Sequence, residues 1–154
     1  MRILVINPGG TSTKISVFEG KKQVFKKNIS HTQADLNDFK TVFDQYQYRK
    51  DLILSILEKN KYPIETFNCV VGRGGLMKPI PGGTYSVNDR MIEDLKNAIN
   101  GEHASNLGAV LAKNIGDEID VPSFVVDPVS VDEFLDVSRI TGISDIEKAS
   151  WLHS

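Results

Sequence analysis

The sequence predicts an α/β fold built on five strands, and three observations carry that expectation. Strand-like runs at residues 3–7, 15–19 and 23–29 open the chain and are separated only by turns. Longer stretches with helical spacing follow, and two later apolar runs, residues 67–71 and 122–126, alternate with them. The resulting order is three strands, a helical segment, a strand, two helices and a strand.

The first strand carries the most informative loop. Four apolar residues, ILVI, stop at Asn7, and PGGTSTK follows. Pro8 fixes one backbone angle, and Gly9 and Gly10 permit conformations closed to other residues. Thr11, Ser12 and Thr13 bring hydroxyls, and the loop N–H groups are placed to face an anion. Lys14 adds a positive charge. Because ISVFE follows directly, the loop is expected to join two antiparallel strands. It is neither G-x-x-x-x-G-K-[ST] nor G-x-G-x-x-G, both of which open a helix. At this stage an ordinary hairpin turn competes evenly with a phosphate-binding loop.

Composition narrows the function classes. A chain of 154 residues, 40% hydrophobic and 25% charged, fills one globular domain. A formal net charge of -2 offers no basic excess, so neither nucleic acid nor an anionic membrane is expected as a partner. Cys69, the single cysteine, lies in the apolar run FNCVV and reads as a buried, inert thiol. No run has the length of a membrane span or a signal-peptide core, which makes a cytoplasmic location the default expectation.

Between residues 35 and 60, Leu36, Phe39, Phe43, Tyr46, Ile53 and Leu57 recur with helical spacing, as one helix or as two broken near Tyr48. The tyrosines there read as packing. The run at 67–71 then leads into Gly72-Arg73-Gly74-Gly75. An arginine flanked by glycines after a buried strand can offer its planar fork to carboxylate or phosphate oxygens, although a surface arginine in a flexible turn is the commoner case. LMKPIPGGTYSV reads as an extended loop. Asn88 caps a helix lined by Met91, Ile92, Leu95 and Ile99 and stopped by Gly101. A second helix, lined by Leu107, Val110, Leu111 and Ile115, ends near Gly116. His103 precedes it, where a substrate-contacting donor and a capping His paired with Ser105 are both open. Asp127 ends the last strand, a place where α/β folds put working groups. The final EKASWLHS is helix-like without a stop signal, so the chain reads as cut short.

Taken together, VINPGGTSTKISVFEG, VVGRGGLMKPIPGGTYSVN, GEHASNLGAVLA, FVVDPVSVDEF and the closing S-x-x-H resemble the N-terminal half of the butyrate kinases, within the acetate kinase group and the wider acetate-and-sugar-kinase, Hsp70 and actin superfamily. The resemblance covers essentially the whole chain. It implies that residues 1–154 form a ribonuclease H-like, actin-like ATPase lobe, with a mixed five-stranded sheet, antiparallel first three strands and helices on both faces. It also implies reversible phosphoryl transfer between ATP, or ADP in reverse, and a short-chain carboxylate or acyl phosphate, with Mg²⁺.

By that resemblance Asn7, Gly9, Gly10, Thr11, Ser12, Thr13 and Lys14 bind nucleotide phosphate. Arg73, Asp127 and His153 are catalytic, His103 and Arg73 contact the acyl substrate, and Asn7 and Asp127 lie near the metal. Two departures qualify it. Gly10 stands where the family usually has serine, and the C-terminal lobe, with the rest of the site, is missing. A non-catalytic lobe or an anion-binding module is therefore the alternative, and homo-oligomer formation through an uncovered face is a further expectation.

Overall fold

The computed structural model describes residues 1–143 and 145–150. Six strands form one sheet in the order β3-β2-β1-β4-β6-β5. They are β1 Arg2–Pro8, β2 Ser12–Glu19, β3 Lys22–Ser30, β4 Cys69–Arg73, β5 Thr84–Ser86 and β6 Ser123–Val126. β1, β2 and β3 are successively antiparallel, whereas β4 runs parallel to β1 and β6 parallel to β4. The helices are α1 Gln33–Leu36, α2 Tyr46–Lys59, α3 Asp89–Lys96, α4 Leu107–Glu118 and α5 Asp136–Arg139.

Side-chain alternation decides which face is filled. Leu4 pairs with Val17 and Val70, and Ile6 with Ile15 and Gly72, so these residues share one face. Ile53 and Leu57 of α2, and Leu107, Leu111 and Ile115 of α4, close over them into a single core. Each large aliphatic side chain buried this way stabilises by about 1.5–3 kcal/mol. α3 extends the layer toward β6, where Leu95 meets Met77, Val87, Ala109 and Val125. The other face carries Ile3, Val5, Val71, Phe124 and Val126, all only half-buried. Helices were expected on both faces; the three long ones share a single face.

Other differences have local causes. The sixth strand, β5, lies inside the segment expected to be loop; it is only three residues long and pairs antiparallel with β6 at the sheet edge. Between residues 35 and 60 the helical path breaks at residues 37–42, ahead of Tyr48, and resumes through a short 3-10 turn, Phe43–Gln45. Asn88 does cap α3, accepting from Met91 N–H at 2.8 Å. The helix ends at Lys96, however, because Ala98 turns left-handed, and Ile99 is left 56% exposed instead of lining the core. α4 continues past Gly116 to Glu118. Cys69 is buried, and burial pushes its thiol up, consistent with an inert role. Among the described residues no helix is long and apolar enough to cross a membrane.

Candidate functional site

The carboxyl ends of β1, β4 and β6 gather most of the expected residues at one edge of the sheet. Asn7 lies opposite Lys14 across the β1–β2 pair. The parallel β1–β4 register runs from Ile3↔Cys69 to Ile6↔Gly72, and one further step sets Asn7 beside Arg73. Arg73 in turn pairs with Val126. Lys14, Asn7 and Arg73 thus form a row on the face opposite Leu4 and Ile6, with Asp127 one residue past the row's end. In a parallel sheet this is the end where ligands bind.

The PGGTST loop is a tight hairpin. Gly9 N–H donates to the Ser12 carbonyl at 2.7 Å, leaving Gly10 and Thr11 at the tip. Every carbonyl from Gly9 to Ser12 is turned inward. Arg49 Nη1 donates to Gly9 O at 2.9 Å and Ser12 O at 3.3 Å, Arg49 Nη2 donates to Gly10 O at 3.1 Å, and His31 N–H donates to Thr11 O at 2.9 Å. In a planar trans peptide the N–H points opposite to the C=O, so the N–H groups of Gly10, Thr11 and Ser12 face away from these donors. The loop therefore presents donors outward, as phosphate requires.

Thr13 departs from the expected role. Its hydroxyl is fully buried, accepting from Arg49 Nη1 at 2.9 Å and lying 2.8 Å from His31 Nε2. The Thr13 hydroxyl thus bridges Arg49 Nη1 and His31 Nε2, and His31 Nδ1 lies 3.4 Å from the Tyr48 hydroxyl. Burial, and then the Arg49 charge, hold His31 below its usual 6.5, with Asp35 opposing more weakly. Thr13 thus anchors the loop from below, leaving the tip groups and Lys14 at the surface.

Arg73 is exposed at the end of β4, and among the described residues no hydrogen bond or ion pair holds its guanidinium. Its glycine neighbours are far from a flexible turn. A Cβ on Gly72 would overlap the Gly108 carbonyl of α4, and one on Gly74 would overlap Pro128. Backbone contact on both sides fixes where Arg73 leaves the sheet. Asn106, which the sequence reading passed over, joins the next loop to this one: its Oδ1 accepts Leu76 N–H at 2.9 Å and its Nδ2 donates to Gly101 O at 2.9 Å. His103 lies on that second loop as an N-cap. Its Nδ1 accepts from Ser105 N–H at 3.2 Å and lies 2.7 Å from Ser105 Oγ, which leaves Nε2 as the N–H.

Asp127 occupies left-handed backbone, φ 40°, and its Oδ1 accepts Gly83 N–H at 2.8 Å. Its second oxygen has no hydrogen bond among the described residues. No cluster of three or more His, Cys, Asp or Glu side chains forms there. A single carboxylate is chemically compatible with Mg²⁺, which takes one or two carboxylates and completes its shell with phosphate and water. His153 lies outside the described residues. A cavity of about 320 Å³ between Met77, Ile80, Tyr85 and Met91 includes none of the expected residues.

Arg49 and Gln45 are the residues that sequence reasoning missed. Both are buried on the stripe that continues through Ile53 and Leu57 at four-residue spacing. A polar pair on an otherwise apolar helical stripe was the available signal.

No protein-family model matches the chain. The chain is 50% identical over 153 residues to a probable butyrate kinase of Clostridium botulinum, covering 99% of this chain and 43% of that protein. It is 49% identical over the same span to butyrate kinase 1 of Clostridium acetobutylicum. The chain thus spans well under half the length of these relatives. The fold matches acetate kinase from Entamoeba histolytica with TM-score 0.61 at 13% identity, covering 94% of this chain and 41% of that one. It matches a propionate kinase from Francisella tularensis with TM-score 0.55 at 14% identity, covering 92% and 41%. By sequence the chain is a homologue of the butyrate kinases over nearly all its residues, and by fold it is built like part of an acetate kinase.

Proposed function

We propose that residues 1–154 form the N-terminal lobe of a butyrate kinase-type enzyme and supply about half of its active site, with a second lobe providing the remainder. The observation that carries this reading is the row Lys14, Asn7, Arg73, ending at Asp127, beside a loop whose tip N–H groups face outward. In the reaction a carboxylate oxygen bonds to the γ-phosphorus of ATP as the bond to the bridging oxygen breaks, releasing ADP and an acyl phosphate. Such transfer needs positioning and charge neutralisation more than covalent help.

The chain's residues divide that work. The tip amides and Lys14 hold phosphate oxygens. Arg73 grips the carboxylate or the transferring group with its fork, and His103 Nε2–H faces the acyl side. Asn7 and Asp127 would hold Mg²⁺, which would neutralise phosphate charge. The chemistry of a short-chain acid such as butyrate fits a site in which one arginine takes the carboxylate.

The test traps acyl phosphate with hydroxylamine in the presence of ATP, Mg²⁺ and butyrate. The 154-residue chain is compared with the same chain fused to the remaining residues of a clostridial relative. Product from the fusion and none from the lone chain is expected, because losing one side of the site forfeits near-attack positioning worth roughly 7–11 kcal/mol. Steady product from the lone chain overturns the half-site reading, and an inactive, folded fusion overturns the kinase reading.

A further inference from the structure

Arg49 has no exposed surface, yet none of its partners is an acid. Its Nε and Nη2 donate to Gln45 Oε1 at 3.1 and 2.8 Å, and its remaining bonds go to Gly9 O, Gly10 O, Ser12 O and Thr13 Oγ1. Among the described residues it enters no ion pair. Guanidinium does not release its proton in a protein, so a full positive charge sits in the core directly beneath the hairpin tip. A buried charge of this kind is costly unless something answers it. Five neutral acceptors satisfy its donors, but they leave its charge unbalanced.

We propose that Arg49 is a positioning residue for phosphate binding: it turns the loop carbonyls inward, so that the tip amides face out, and its unpaired charge raises the affinity of that tip for a phosphate group. This rests on reading the PGGTST hairpin as a phosphate site. Gln45 is the second half of the device. It lies where a carboxylate would cancel the charge, yet it bonds the guanidinium as a neutral amide. Both residues act through the backbone, and neither touches the ligand.

Gln45→Glu separates the two roles, because a carboxylate accepts the same two hydrogen bonds while neutralising Arg49. The experiment titrates the 154-residue chain with inorganic pyrophosphate and follows the amide resonances of Gly10, Thr11 and Ser12, with urea unfolding run alongside. In the unmodified chain those amides shift on binding. In Gln45→Glu the unfolding midpoint holds or rises, the free tip resonances keep their positions, and pyrophosphate binds roughly three- to tenfold more weakly, as expected when a nearby charge is cancelled. Should Gln45→Glu lower the midpoint, Tyr48→Glu puts an acid at the half-buried neighbouring position, whose side chain already senses Arg49, and the same weakening is expected. Unchanged affinity in the acid-bearing variant overturns the charge role and leaves the phosphate-loop reading standing. Tip amides that ignore pyrophosphate in the unmodified chain overturn both.

Discussion

The backbone of Gly72, in β4, touches the Gly108 carbonyl, in α4, with no room for a side chain on either residue. This contact presses the first turn of α4 onto the strand that delivers Arg73. Gly108→Ala is expected to lower stability by about 1–3 kcal/mol, the usual cost of overpacking a filled interior. Urea unfolding of the purified variant checks it. A midpoint equal to that of the unmodified chain would show that helix and strand separate without penalty.

Arg73→Ala should behave in the opposite way. The side chain is exposed and unpaired among the described residues, so stability should stay within about 0.5 kcal/mol. In the fused enzyme the same change is expected to cut carboxylate kinase turnover by roughly 10²-fold or more, as removal of one preorganised charge-stabilising donor does elsewhere. Near-normal kcat and KM would demote Arg73 to a surface residue.

Lys14→Ala tests the front of the loop as Gln45→Glu tests its base. Lys14 is exposed, so the fold should be unaffected, while pyrophosphate affinity should fall and its dependence on ionic strength should flatten. Equal affinity and equal salt dependence would remove Lys14 from the phosphate contacts.

His31 makes stability depend on pH. Burial and Arg49 hold its folded pKa below 6.5, so between 6.5 and that lower value the unfolded chain binds more protons than the folded one. Stability is therefore full above 6.5 and is lost progressively as pH falls toward the depressed value. Arg49, Asp35, Tyr48 and Thr13 face the ring, and of the charged pair only Asp35 favours protonation. The urea midpoint measured across this range should fall with pH, and His31→Gln should abolish that part of the slope. A midpoint indifferent to pH in that window contradicts a neutral His31.

Much of this architecture was legible because its signals are periodic. The apolar run at residues 3–6 and the strand-like run at 15–19, joined by a turn-rich loop, gave the hairpin, and the Asn88 cap and the spacing of Leu107, Leu111 and Ile115 gave two helices. β5 left no such trace: three residues beside two glycines cannot display a period. Ile99 fits the helical spacing of α3, but Ala98 ends the helix first, and spacing is blind to a backbone turn. At the site, Asn7, Lys14, Arg73 and Asp127 stood out because each follows directly on a strand or its hairpin. Arg49 and Gln45 were hidden by their type, since a polar residue on a helix is ordinarily read as solvated. Their role appears only when loop carbonyls 37 to 40 residues earlier are seen to accept from Arg49.

Four described non-glycine residues adopt left-handed backbone: Lys61, Ala98, Asp120 and Asp127. The first three follow the ends of α2, α3 and α4, where helices commonly release the chain in that conformation. Asp127 follows a strand. Replacing any of the first three by glycine should recover a few tenths to about 1 kcal/mol with nothing else lost. At Asp127 the same relief would remove the carboxylate that holds Gly83 and stands at the end of the Lys14–Asn7–Arg73 row. A heat-tolerance selection would thus be drawn to glycine at positions 61, 98 and 120 but not at 127, where the lost Gly83 bond offsets the strain relieved.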